Sequence, residues 1–505
     1  MIFYECTQDN DMKNETKKTL GKKLKENLQS ILEILTAEDI LTYQFYTKDN
    51  VLCTAIYIDQ ITDKELLGSL IAKPLSLIDA PTTLEDAMKE LYFPENSCEE
   101  DVTTICNKIL AGNVALLIDN LQGAIVLGAK KISSRSVAEP PTSMTIKGPR
   151  EGFIEDIKIN MGLVRKRLKT AQLQFDMIQC GKQSQTSIAV VYLSGIANKK
   201  IVQQVKDKIA SYEIDEVVDS SYIGKFLTAR PLSLFKQVGT TEKPDIFCAK
   251  ILEGRIGLIV DGSPIVLTVP YLIAEDFQGP QDYFASPYRA TVSRFIRLFA
   301  ILISLLLPAY YVAAQLFKLQ LIPFGLLMTI SASTKNIPLS PSIELFFLLV
   351  ILEILLEASI LMPKQVSLAL SVIGALVLGD TAVKAGIVST PAIIIVAISG
   401  ISAYAVPELV GTSSIIRIIL LVLAGSIGTF GILLGIALIL YALLTMESFG
   451  TPLLAPFAPL VKKDLKDSLF KADLFDLKER PAVFKSKNKK RLLQKKGVEN
   501  EQDKA

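Results

Sequence analysis

Residues Leu298–Phe317 read LFAILISLLLPAYYVAAQLF, a run of 20 positions without a charge. That is the length an α-helix needs to cross the hydrocarbon core of a bilayer. Arg289, Arg294 and Arg297 stand just before it, the arrangement expected of a cytoplasmic entry point. Pro308 lies near its middle and is expected to bend the helix, with the carbonyl it frees satisfied by neighbouring helices. The sequence on either side differs in kind, so this stretch divides the chain.

The 505 residues are 50% hydrophobic and carry a formal net charge of +2, an average over unlike parts. Residues 1–285 have ordinary soluble composition, 298–445 are nearly free of charge, and 462–505 hold 14 Lys and Arg against 8 Asp and Glu. Further crossings are readable at Ser342–Met362, Val366–Val388 and Pro391–Val406. Ser414–Met446 is longer than one span needs: a single tilted helix, or two helices broken near Gly425–Gly428. Leu319–Ser333 is too short for an ordinary span and reads as a re-entrant piece or a short helix. The start, MIFYECTQDNDMKNETKK, has no apolar signal core, so the first 285 residues are expected to stay in the cytoplasm. A basic tail on the same side requires an even number of crossings, four or six.

Ionisable groups inside the apolar region are expensive and therefore informative. Glu344, Glu353 and Glu357 lie in SIELFFLLVILEILLEASILM (342–362), and Glu353 and Glu357 share a helix face by their spacing. Asp380 and Lys384 repeat that spacing in LGDTAVKAG. These four are the candidates for a water-lined ion path, against the plainer reading of polar locks between helices. Pro308 and Pro363 are the candidate bend points. The small residues around Asp380 also suit close helix packing.

The chain has no histidine and no tryptophan, which removes Ser-His-Asp and Cys-His catalysis and every His-ligated metal site. No catalytic constellation, metal site or cofactor is expected. Six scattered cysteines without ligand-pair spacing (Cys6, Cys53, Cys98, Cys106, Cys180, Cys248) read as buried, reduced thiols.

The soluble part reads as a tandem. NVLCTAIYIDQITDKELLGSLI (50–71) and QTSIAVVYLSGIANKKIVQQVK (185–206) each give a β-branched strand, a turn and a helix. GNVALLIDNLQGAIVLG (112–128) and EGRIGLIVDGSPIVLTV (253–269) each give strand, Asp-containing turn, strand, with Asp119 and Asp261 in matching places. Both aspartates are turn residues for backbone reasons rather than a catalytic pair. The expected fold class is an α/β tandem cytoplasmic head of two related subdomains followed by an all-α polytopic membrane domain. The expected boundaries are a flexible N-terminus at 1–25, subdomains at 26–145 and 146–285, a transmembrane domain at 286–450 and a basic tail at 451–505.

Between the two subdomains lies GPREGFIEDIKINMGLVRKRLK (148–169), after the Pro-rich link SVAEPPTSMTIK. Apolar positions at Phe153, Ile157, Met161, Val164 and Leu168, early acids and a late basic cluster suit an amphipathic helix. Its basic end is either a solvated face or a surface for anionic lipid or a partner subunit. No interleaved aromatics or broad basic field point to nucleic acid, and GPREG lacks the Lys-Ser/Thr of a phosphate loop.

Taken in order, several segments resemble the A subunit of the GerA family of spore germinant receptors. They are GPREGFIEDIKINMGLVRKRLK (148–169), TVPYLIAEDFQGPQDYFASPYRATVSRFIR (268–297), LLLPAYYVA (305–313), IPLSPSIELFFLLVILEILLEA (337–358), GALVLGDTAVKAGIVSTPAIIIVA (374–397) and SFGTPLLAPFAP (448–459). The resemblance covers roughly residues 25–460. It implies a non-enzymatic, multi-pass subunit of the spore inner membrane with both termini cytoplasmic. Its implied partners are a transporter-like B subunit, a lipoprotein C subunit and further A subunits in a homo-oligomer, which would form a nutrient-gated, ion-conducting pore. Arg150, Arg165, Arg167, Asp282, Arg294 and Arg297 become candidates for coupling head to membrane. Where the family pattern has Arg, this chain has Leu356 and Leu361, and where it has Gln and Glu, this chain has Asp380 and Lys384. Lys384 is therefore expected to pair with Glu353 or Glu357. The alternative reading is a regulatory or permease subunit of a transporter, which would call for symmetry between membrane halves.

Overall fold

The computed structural model describes residues 19–91, 93, 95–130, 148–335, 337–361 and 381–492. Cys6, the Pro-rich link, Pro363, Asp380, most of Val366–Val388 and the end of the basic tail lie outside the described residues. The chain divides into two units. One holds the described residues up to Thr228 with Val238–Pro270 and Phe484–Lys489, and the other holds Ala229–Gln237, Tyr271–Val483 and the described residues from Lys490.

The first unit contains two antiparallel sheets. Strands β1 (Ile40–Tyr46), β2 (Leu52–Ile58), β3 (Asn96–Glu99), β4 (Val114–Ile118) and β5 (Ala124–Leu127) form one, in the order β1-β2-β4-β5-β3. Strands β6 (Leu173–Cys180), β7 (Thr186–Leu193), β8 (Gly239–Thr241), β9 (Ile256–Val260) and β10 (Val266–Val269) form the other, in the order β6-β7-β9-β10-β8. The two orders are the same. Registers correspond as well, with Cys53 opposite Ile118 in one sheet and Ile188 opposite Val260 in the other. The central strands β4 and β9 are buried throughout, which is why they read as unbroken apolar runs rather than alternating ones. One face of the first sheet packs Phe45, Tyr57, Ile71 and Leu116. Its opposite face packs Leu24, Ile31, Ile56, Ile105 and Leu117.

The repetition extends to hydrogen bonds. Asn27 clamps Gly21, accepting from its N–H and donating to its carbonyl, both at 2.8 Å. Asn160 clamps Ile154 in the same way, accepting at 2.9 Å and donating at 2.5 Å. Asp119 accepts from the N–H of Leu24 at 3.2 Å, and Asp261 from that of Ile157 at 3.2 Å. Leu24 and Ile157 are the first residues of the helices Leu24–Ile34 and Ile157–Arg167, so each aspartate supplies an anion where a helix leaves its N–H groups unpaired.

Helix Ile157–Arg167 starts at Asp156, whose carboxylate accepts from the N–H groups of Lys158 and Ile159. Phe153, Ile157, Met161, Val164 and Leu168 are all buried in the core of the second sheet. Its basic end departs from expectation. Arg165 is 0% exposed and grips Asp39 with two hydrogen bonds, Nε to Oδ2 at 2.9 Å and Nη2 to Oδ1 at 2.7 Å. The Phe175 ring lies 5.1 Å from its guanidinium carbon. Arg165 is therefore a fastening between the two subdomains and not a lipid-facing charge. The sequence conceals this because the partner lies 126 residues away.

Among the described cysteines, Cys53, Cys106, Cys180 and Cys248 are buried as expected, whereas Cys98 is exposed. Burial pushes the thiols of Cys53, Cys106 and Cys248 up to about 12, which makes them poor nucleophiles.

The second unit is helical: Pro287–Phe317, Phe324–Thr334, Pro341–Leu361, Thr390–Ala403, Val410–Ile427 and Thr429–Leu444 are its principal helices. Among the described residues, Pro287–Phe317 and Pro407–Ile427 are long and apolar enough to cross a membrane, and three further apolar helices are shorter. Pro341–Leu361 has 21 residues but carries the three glutamates. Of the alternatives left open by the sequence, Leu319–Ser333 contains a short helix, and Ser414–Met446 contains two helices with the break at Gly428. There φ is +66°, and a Cβ would lie 2.8 Å from the Phe317 ring. The helices on either side of the break pack closely, since a Cβ on Gly431 would stand 2.1 Å from the carbonyl oxygen of Leu423.

Candidate functional site

Three segments of the second unit meet around Arg417. Pro308 has no N–H, so the carbonyl of Ser304, one turn earlier, loses its helical partner. Ser399, on the Thr390–Ala403 helix, donates its hydroxyl to that carbonyl at 2.7 Å. Ser399 in turn accepts from Nη1 of Arg417 at 3.2 Å. Nη2 of Arg417 donates to Glu353 at 2.5 Å and to Ser414 at 3.4 Å. A continuous polar chain thus links the proline of one helix to the glutamate of another. Arg417 is 1% exposed while the Glu353 side chain is 30% exposed, so the pair is dry at one end and open at the other. Nε of Arg417 and the hydroxyl of Ser304 are buried without hydrogen-bond partners.

This corrects the expected pairing: Glu353 is held by Arg417, not by Lys384. Lys384 sits exposed on the short helical turn Ala382–Lys384. Glu357 is exposed on the Pro341–Leu361 helix. Arg417 was missed, although it is the one cation in SSIIRIILLVL (413–423), and a lone arginine in such a run calls for a buried acid.

A second cluster forms where the first long helix begins. Asp282 receives Nε of Arg294 at 3.1 Å and a fork from Arg297 at 2.8 and 3.0 Å. Arg294 also donates to the carbonyls of Asp467 and Ser468 at 2.9 and 2.8 Å, so the tail closes over it. Burial pushes the Asp282 carboxyl up, but the hydrogen bonds and charge of Arg297, with help from Gly279 and Arg294, hold it below its ordinary value. The three residues singled out from the sequence therefore converge, and the share of the tail was not legible. Arg167 and Lys166 pair instead with Glu151, at 3.0 and 2.8 Å, and Arg150 is exposed.

A third cluster was not anticipated. Lys236 bridges Asp276 at 2.9 Å and Glu408 at 2.6 Å, with the Tyr271 ring 5.2 Å away and the Tyr271 hydroxyl on Asp276. Burial works against the ammonium, but Asp276 and Glu408 outweigh it and raise Lys236 above its ordinary value. Glu408 lies two residues before the helix that carries Arg417. Among the described residues no three acidic or cysteine side chains converge in a way that could hold a metal.

The chain thus has a sheet-rich N-terminal region and a helical C-terminal region with two helices long and apolar enough to cross a membrane, and charge clusters lie around them. The Bacillus/Clostridium GerA spore germination protein family is matched over residues 23–483. The chain belongs to that family. It is similar to the uncharacterized membrane protein YfkQ of Bacillus subtilis (strain 168), 32% identical over 485 residues, covering 95% of this chain and 94% of that one. It is also similar to spore germination protein KA of the same organism, 32% identical over 450 residues, covering 88% and 83%. Among solved structures, the N-terminal domain of the A subunit of the Bacillus megaterium spore germinant receptor GerK3 is matched at 23% identity and a TM-score of 0.42, covering 51% of this chain and 99% of that one.

Proposed function

We propose that the chain is the A subunit of a nutrient-gated germinant receptor in the spore inner membrane, a multi-pass protein with both termini in the cytoplasm. It works with a transporter-like B subunit and a lipoprotein C subunit, and several copies of it gather around a cation path. The observation that carries this reading is the exposure of Glu357 on an otherwise apolar helix that also presents Glu353 half-open. A carboxylate facing lipid costs several kcal/mol, so water or another copy must cover that face. Carboxylates lining such a path favour cations. Glu353 and Glu357, with Asp380 and Lys384, are the candidate path residues on this reading. Asp282, Arg294 and Arg297 transmit movement between soluble segments and the first long helix. Binding of nutrient to a partner biases the helices between two arrangements. The test is potassium release from germinating spores carrying Glu357→Gln, with the copy number of the purified protein measured alongside. Slowed release with unchanged copy number is the expected result. Wild-type release, or a protein that stays single in detergent and in lipid, overturns the reading.

A further inference from the structure

The segment Ala229–Gln237, ARPLSLFKQ, follows Thr228 and belongs to the second unit. Gln237 closes its two ends on each other. Oε1 of Gln237 accepts from the N–H groups of Ala229 and Arg230 at 3.0 and 3.2 Å, and Nε2 donates to the Arg230 carbonyl at 3.1 Å. Ser233 fastens the tip, its hydroxyl donating to the Phe235 carbonyl at 2.9 Å and accepting from the Phe235 N–H at 3.0 Å. A loop tied at its base and within itself holds one shape. Leu232 is 100% exposed at its tip, and Leu234 is exposed two residues on. Compact loops with joined ends ordinarily pack their own side chains, whereas this one turns two leucines outward.

Two apolar helices fix the loop in place. Thr412, in the first turn of Val410–Ile427, donates its hydroxyl to the Leu234 carbonyl at 2.8 Å. Arg230 donates Nη1 at 2.9 Å to the hydroxyl of Thr445, the residue that follows Thr429–Leu444. Phe235 packs with the apolar clusters that hold Ile416 and Leu443. One helix therefore begins at the loop and the other ends there, which puts the loop level with the end of the apolar helices. Ile415, Ile419, Leu440, Tyr441 and Leu444 are exposed on the same two helices. The leucines of the loop thus stand at the end of an outward-facing apolar surface.

We infer that Ala229–Gln237 is a membrane-interface loop, with Leu232 and Leu234 seated about 5–10 Å into the boundary between headgroups and acyl chains of the leaflet where these helices end. The partner this surface fits is the bilayer itself. The inference rests on the reading that the two helices cross a membrane. Leucines held in water by a fixed loop gain nothing there, whereas at the lipid boundary they leave water while the loop keeps its internal hydrogen bonds.

The chain has no tryptophan, so an introduced indole is its own reporter. The full chain is placed in nanodiscs of lipid brominated near the headgroup, of lipid brominated near the chain ends, or of unbrominated lipid, and tryptophan emission is read. Three variants at exposed positions are compared: Leu232→Trp, Leu438→Trp within the Thr429–Leu444 helix, and Leu77→Trp in the first unit. Leu232→Trp is expected to emit at shorter wavelength than an indole in water. It should lose most of its emission to the shallow bromines and less to the deep ones. Leu438→Trp should be quenched more by the deep bromines, and Leu77→Trp by neither. If Leu438→Trp escapes both lipids, the membrane reading falls and takes the inference with it. If Leu438→Trp is quenched and Leu232→Trp is not, the loop inference alone is overturned. A blue-shifted but unquenched Leu232→Trp overturns it too, and assigns the leucines to a protein neighbour. Quenching of Leu77→Trp as strong as that of Leu232→Trp has the same force.

Discussion

Arg417 reaches across to Glu353, 64 residues earlier, with Nη2 at 2.5 Å from the carboxylate, and the arginine is the buried member of the pair. The two ends are therefore not equivalent. Removing the acid strands a guanidinium in a dry site, while removing the arginine leaves a carboxylate that already meets water or a neighbour. Glu353→Met is expected to cost about 3–5 kcal/mol and Arg417→Met less, with the double substitution milder than Glu353→Met alone. Thermal midpoints of the four proteins in a double-mutant cycle check this. Repeating the cycle with Lys384→Gln should leave the coupling energy unchanged, since Lys384 is not the partner.

Asp39 and Arg165 make the corresponding test in the first unit. Both side chains are fully buried, so Asp39→Asn leaves an unneutralised guanidinium between the two subdomains. A loss of about 3–5 kcal/mol is expected. It should appear as a lower unfolding temperature of the head. Replacing the pair by Leu and Met should recover much of that loss.

The Asp282 latch predicts an acid-labile step. Its folded carboxyl is depressed below the ordinary 3.8, so the latch contributes in full above that value and is lost as pH falls through the depressed one. Wild-type stability should drop steeply below about pH 4, whereas Asp282→Asn should start lower and change little. Thermal midpoints measured from about pH 6 downward should converge at the acid end. Parallel curves would remove Asp282 from the account.

Gly431 has no room for a methyl group, its ideal Cβ lying 2.1 Å from a backbone oxygen that cannot rotate away. Gly431→Ala should force the last two helices apart at a cost of about 1–3 kcal/mol. Reduced thermal stability with normal membrane insertion is the expected signature. A neutral result would show that the hairpin opens without penalty.

The sheet-rich head and the helical part after it were readable because the signals are local. Alternation and apolar runs mark strands such as Val114–Ile118, and uncharged length marks Leu298–Phe317. The repeat was legible through Asp119 and Asp261, and their use of the helix starts follows from turn chemistry. Partners were legible only in part. Asp282, Arg294 and Arg297 lie within 16 residues of one another and could be grouped from the sequence. Arg165 with Asp39, Arg417 with Glu353 and Lys236 with Glu408 each join distant segments, where no spacing rule applies. A buried arginine and a solvated one look alike in a sequence; only the third dimension separates them.

The hydroxyl that Ser399 lends to the carbonyl below Pro308 has a mechanical meaning. A rung missing from one rod is supplied by its neighbour, so neither can screw or slide without tearing the other. Those two rods behave as a fused strut.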